Sequence, residues 1–170
     1  SSDLAKQDDV YTVCLRGQQD GKVYKENRVI TSVQTVLSAR DEYDAFMALA
    51  HEDSLEFVVS NTTEAGITFD EKDAFTDCPP STFPAKLTKF LYERYTFYKG
   101  AADKGLTMLP TELNDNNGKL LRDCVNKYVS LWKLEASFHS WLDQHCQFTD
   151  TLVDRIVVGY PADSIAALQD

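Results

Sequence analysis

Leu55–Gly66 reads LEFVVSNTTEAG: an apolar run, Leu55 to Val59, that stops abruptly in Ser60, Asn61, Thr62, Thr63, Glu64 and Gly66. A short apolar, β-branched run bounded by small polar residues and glycine predicts a strand that hands the chain to a loop. In an open α/β sheet the ligand lies beyond the carboxyl ends of the strands. Amide, hydroxyl and carboxylate groups collected at such an end can hydrogen-bond a cofactor ring or ribose, and Gly66 would let a backbone approach closely. An ordinary strand and turn account for the same letters, since Asn, Thr and Gly also populate turns for local reasons. The residues alone leave both readings open.

Upstream, Ser1 to Asp9 is polar and predicts a frayed end. Val10–Leu15 (VYTVCL) and two runs within Lys22–Val36 are rich in β-formers, and the Gln19-Asp20-Gly21 turn signal between them predicts a hairpin. Asp41–His51 spaces Tyr43, Phe46, Met47 and Ala50 as a helix that should cover the sheet, with Ser38 or Asp41 as N-cap.

Downstream, Ile67–Phe75 is mixed and Asp77-Cys78-Pro79-Pro80 is a break. Ser81 or Thr82 can cap a helix with Pro84 in its first turn, whose stripe of Leu87, Phe90, Leu91, Arg94, Tyr95 and Tyr98 ends at Gly100. Gly105–Glu112 predicts a short buried strand, and Asn114–Gly118 a polar turn launching a helix with Leu120, Leu121, Cys124, Val125, Tyr128, Val129 and Trp132 on its apolar face. A further helix, Ala136–His145, should pack on that one through Phe138, Trp141 and Leu142. Thr151–Tyr160 is β-branched, with Asp154 and Arg155 inside it. Strands alternating with helices of this length predict a largely parallel α/β sheet. No GxGxxG occurs, so the chain either is not a dinucleotide-binding domain or begins after, and lacks, that domain's glycine-rich first βαβ element.

Acidic residues outnumber basic ones, 27 to 17, for a net charge of −10, which repels phosphate backbones and anionic membrane surfaces and argues against both as partners. The four cysteines are widely spaced, without CxxC or finger-spaced histidines, which predicts reduced thiols, no metal site and a cytoplasmic protein. Glu112 with the Asn114–Gly118 turn forms a second polar strand end, where a substrate or nicotinamide pocket would lie, although an N-cap and tight turn explain those residues too. Asp154 and Arg155 are either a buried ion pair or a pair facing a cleft. His51 ends a helix and suits the negative end of its dipole, and His139 and His145 read as surface or packing residues.

FVVSNTTEAGITF, FPAKLTKFLYERY, KGLTMLPTELNDNNG and FTDTLVDRIVVGYP, in this order and spacing, resemble the tagaturonate-reducing branch of the mannitol dehydrogenase family, from about Tyr11 to the end. LVDRI is the family-wide signature; SNTTEAGI and the ELxxxNG turn are particular to the branch. The resemblance implies a Rossmann-like fold and a metal-independent, NAD-dependent oxidoreductase that reduces the hexuronate D-tagaturonate to D-altronate in galacturonate breakdown. Fructuronate reductase or another polyol dehydrogenase of the family is the near alternative, and a non-catalytic binding or interaction module the distant one.

It further implies that residues 10–170 are part of an NAD-binding domain. The glycine-rich turn would precede Ser1, and a helical domain bearing the general-base lysine would follow Asp170, so that no catalytic residue lies in the chain and the chain alone could pair with itself. By the same resemblance Asn61, Thr62, Thr63 and Glu64 lie along the nicotinamide side of the cofactor. Glu112, Asn117, Asp154 and Arg155 are the substrate-pocket candidates. Leu113 stands where mannitol dehydrogenases have an oxyanion-binding asparagine, so that role does not transfer. Asp150 replaces an asparagine found in many members.

Overall fold

The computed structural model describes residues 3–152, which fall into two units divided between Ser38 and Ala39. The first holds a 3-10 turn, Asp3–Gln7, and an antiparallel hairpin of β1 (Tyr11–Gln19) and β2 (Lys22–Ile30). Asp20 and Gly21 close it with φ of +53° and +75°. Two successive positive φ values match the right-handed twist of the strands, which is why an Asp-Gly pair stands there. Only one strand follows the turn: residues 31–38 have no regular structure, and the second run expected within Lys22–Val36 does not form.

The second unit opens with α1 (Tyr43–Ala48), one turn shorter than the expected helix because Leu49–His51 tightens into a 3-10 turn. β3 (Phe57–Ser60) follows, then α2 (Phe83–Phe97), β4 (Thr107–Pro110), α3 (Asn117–Leu131), α4 (Ala136–His145) and β5 (Gln147–Phe148). The three strands form a parallel sheet in the order β3-β4-β5, with Phe57 opposite Thr107, Ser60 opposite Pro110 and Met108 opposite Phe148. The predicted parallel α/β arrangement is present. The two-residue strand β5 has no periodicity to betray it, and it exists because β4 offers ladder groups: Gln147 N donates to Leu106 O and Thr149 N to Met108 O. The β-branched stretch Thr151–Tyr160 lies, from residue 153 on, outside the described residues.

α2 begins where Thr82 Oγ1 accepts from Ala85 N at 3.3 Å, with Pro84 in the first turn. Its apolar stripe places Leu87, Phe90 and Leu91 in a core with Leu106, Met108, Leu121, Val125, Phe138 and Trp141. Leu120 points outward on α3, so that helix's buried face is narrower than the sequence implies. The aromatic face of α4 meets α2, with Phe138 5.1 Å from Tyr92 and Trp141 5.7 Å from Tyr95 between ring centres. Arg122 on α3 pairs with Asp143 at 2.5 Å, and Phe138, Trp141 and Leu142 share one core with Leu121, Val125 and Val129 of α3, so α4 joins both helices. No helix among the described residues is long and apolar enough to cross a membrane.

Candidate functional site

The carboxyl ends of β3 and β4 lie side by side, and the Ser60–Pro110 register carries the next residues of each strand into one rim. Thr111 extends the pairing by donating its N–H and its hydroxyl to Ser60 O at 2.8 and 2.7 Å. Between the two ends opens a pocket of about 490 Å³, lined by Asn61, Thr63, Glu64 and Ala65 from one strand end and Thr111, Glu112 and Leu113 from the other. A more apolar hollow of about 470 Å³, walled chiefly by Phe46, Leu55, Phe57, Val59 and Phe90, lies beside β3. The first has the convergent polar groups that ligand orientation requires.

Glu112 builds the rim. Its side chain is 2% exposed, and Oε1 accepts from Thr62 N at 3.0 Å and Thr62 Oγ1 at 2.8 Å while Oε2 accepts from Ser60 Oγ at 3.0 Å. Burial pushes the carboxyl up, but the Thr62 and Glu112 N–H groups and the Thr62 and Ser60 hydroxyls outweigh it, so Glu112 ionises below the usual carboxylate range. A buried carboxylate held by donors from a strand fifty residues away ties two strand ends together.

Gly66 belongs to the same device. A Cβ there would lie 1.9 Å from Thr62 Oγ1. The close approach expected at Gly66 is therefore made by a hydroxyl of its own loop. Asn114 Nδ2 braces the loop from the β4 side by donating to Glu64 O at 3.1 Å.

Replacing Glu112 by Gln places an NH2 group against N–H and O–H donors. We expect a loss of about 1–3 kcal/mol in stability and faster hydrogen exchange at the Thr62 amide. Urea unfolding and exchange mass spectrometry measure the two; unchanged Thr62 protection would contradict the tie.

Asn117 is fully buried. Its Nδ2 donates to the carbonyls of Pro110, Glu112 and Thr151 at 3.0, 3.0 and 2.8 Å, and its Oδ1 accepts from Gly118 N and Thr151 N. It joins the end of β4, the start of α3 and the segment after β5. Gly118 follows because a Cβ there would meet Thr149 O at 2.4 Å, and Asp150 Oδ1 accepts from Lys119 N at 3.1 Å in the first turn of α3.

Of the sequence candidates, Asn61, Thr63 and Glu64 line the pocket, Thr62 turns to Glu112, and Glu112 lines the pocket with its carboxylate engaged by the neighbouring strand. Asn117 sits beneath the rim. Asp154 and Arg155 lie outside the described residues.

Sequence reasoning missed Ser60 and Thr111, which hold the two ends in register. The available signal was a hydroxyl residue at the last position of one strand and just past the end of the next. It also missed Asp73, which is 3% exposed. Asp73 accepts from the N–H and hydroxyl of both Ser81 and Thr82 at 2.6–3.1 Å, and from Tyr128 Oη at 2.9 Å.

Comparison with known proteins matches residues 1–169 to the mannitol dehydrogenase Rossmann domain. The chain is 49% identical over 167 residues to altronate oxidoreductase of Yersinia enterocolitica, covering 98% of this chain and 35% of that protein. It is 46% identical over 168 residues to altronate oxidoreductase of Shigella sonnei, again covering 98% and 35%. The chain thus spans about a third of the length of these relatives. Among solved structures it resembles Pseudomonas fluorescens mannitol 2-dehydrogenase, determined as a ternary complex with NAD and D-mannitol. The TM-score is 0.76 at 24% identity over 96% of this chain and 34% of that one. A D-sorbitol dehydrogenase matches with a TM-score of 0.74 at 20% identity, covering 98% and 35%. At these identities the structural likeness establishes the fold.

Proposed function

The chain belongs to the mannitol dehydrogenase family, and from that premise we propose that it forms part of the cofactor-binding half of an altronate oxidoreductase, which interconverts D-tagaturonate and D-altronate. The observation that carries this reading is the 49% identity to altronate oxidoreductase over nearly the whole chain. The pocket supports it. Asn61 and Thr63 offer an exposed amide and hydroxyl, and Ala65 and Leu113 an apolar wall, a set that fits the nicotinamide end of NAD.

NAD, when bound, supplies the hydride chemistry at the keto carbon. The chain's own residues orient and enclose. Asn61, Thr63 and Glu64 form the rim, and Glu112 is a positioning residue that holds Thr62 and Ser60 so that the rim keeps its shape. Leu113 lines the pocket on the β4 side. None of the described residues lining the pocket is a lysine or histidine; we place the proton donor for the substrate oxygen in the part of the enzyme that this chain does not cover. A soluble sugar-acid substrate and four free thiols fit a cytoplasmic location.

NADH oxidation followed by absorbance tests the reading. The enzyme at the full length of its relatives is expected to turn over D-tagaturonate with a kcat/KM at least about tenfold above that for D-fructuronate or D-fructose. A preference for either of those sugars would overturn the substrate assignment. The 170-residue chain alone is expected to give no turnover, and activity there would overturn the external proton donor.

A further inference from the structure

The loop after β3 is fastened at two points of very different strength. At its base, Thr62 is held by the buried Glu112 carboxylate through both its N–H and its hydroxyl. Its tip, residues 63–65, is exposed and closes on itself where Gly66 N donates to Thr63 O at 2.8 Å. Among the described residues the tip makes one hydrogen bond outside its own loop, from Asn114 Nδ2 to Glu64 O at 3.1 Å. Thr63, Glu64 and Ala65 all line the pocket, so the shape of that wall depends on a single amide.

The chain leaving β4 alternates in what it does. Glu112 and Asn114 reach across to the β3 loop, and Leu113 between them lines the pocket. A tight turn, Asn114 N donating to Glu112 O at 2.8 Å, brings the two reaching side chains to the same loop. The Glu64 carbonyl also fixes which end of the Asn114 amide is which, since the flipped amide would set two oxygens together. The remaining end is unmet: Asn114 Oδ1 is buried and has no hydrogen-bond partner among the described residues. Burying an acceptor without a donor lowers stability. The stability of the fold therefore does not account for an asparagine here, and a small apolar residue would avoid the loss.

We propose that Asn114 is a positioning residue for the cofactor: by holding the loop tip against the end of β4 it presets the pocket wall that receives the nicotinamide end of NAD. This rests on the cofactor reading above. Asn114 acts through Glu64 and Thr63. Without the bond the base stays tied to Glu112 while the tip is free, and a free tip has to be ordered when the ligand binds, which lowers affinity.

The test uses the enzyme at the full length of its relatives, titrated with NADH in the absence of sugar and followed by nicotinamide fluorescence. Asn114→Ala and Asn114→Asp are each expected to raise the Kd for NADH about fivefold; aspartate keeps the shape and has no donor. Hydrogen exchange without ligand should quicken at the Gly66 amide and keep its wild-type rate at Thr62, and the urea midpoint of Asn114→Ala should stay at or above that of the wild type. A wild-type Kd in both variants overturns the proposal. So does failure of the variants to fold, since the side chain would then serve the fold alone. A wild-type enzyme that does not bind NADH overturns the cofactor reading together with this proposal, whereas wild-type binding with unchanged variants overturns this proposal only.

Discussion

Replacing Arg94 by Met is expected to lower the stability of the sheet-bearing unit by about 3–5 kcal/mol, read as a shifted urea midpoint. Arg94 is 1% exposed, and its guanidinium is a clamp on backbone. Nε donates to Lys104 O at 2.8 Å, Nη1 to Ala50 O and Glu52 O at 2.9 and 2.8 Å, and Nη2 to Leu55 O at 3.1 Å. The Tyr98 ring, 4.9 Å from the guanidinium carbon, covers one side. These carbonyls belong to the segments entering β3 and β4, so Arg94 holds the amino ends of the two strands whose carboxyl ends Glu112 holds. Methionine fills part of the volume and leaves the carbonyls without donors. Lysine restores the charge but not the planar fork, and Arg94→Lys is expected to recover less than half of the loss. A Met variant within about 1 kcal/mol of wild type would mean that water replaces the clamp.

The second large effect is acid-dependent and centres on Asp73. Burial pushes its carboxyl up, but the Ser81 and Thr82 hydroxyls and N–H groups outweigh this and lower it from 3.8 to about 2. The folded state therefore binds fewer protons than the unfolded chain between roughly pH 4 and pH 2. The stabilisation from this group is complete above about pH 5 and falls away as pH drops through that window, about 2 kcal/mol in all. Asp73→Asn is expected to remove a similar amount at pH 7 and to flatten the acid limb of the stability profile. Asparagine has one acceptor oxygen for sites that now receive five donors, and it loses the anion at the N-terminus of α2. Thermal unfolding from pH 2 to 7 for both proteins measures this; parallel acid limbs would show that other carboxylates govern acid unfolding.

Both residues are nearly invisible in the sequence, for the same reason. Arg94 falls on the apolar stripe of a helix and Asp73 in a stretch of mixed character, and their partners are distant: Arg94 reaches back to Ala50 and Leu55, and Asp73 meets Tyr128 on α3. Periodicity reports which face of an element is buried and says nothing of which backbone groups are waiting there.

What the sequence by itself determined is what local chemistry decides. Thr82 and Pro84 start α2, Asp20-Gly21 closes the hairpin, the apolar run before Asn61 makes β3, and Ala136–His145 is a helix with the boundaries the pattern implies. The resemblance to the family was likewise legible, because it rests on letters in order. Only the tertiary structure decided what the polar residues at the strand ends do. The strand register lets Glu112 turn to Ser60 and Thr62, Asn117 goes beneath the rim, and Asn61, Thr63 and Glu64 are left facing the pocket. A carboxylate or amide carries the same letter whether it meets a ligand or a backbone N–H. Which of the two it meets depends on the strand beside it, contributed by a part of the chain some fifty residues away.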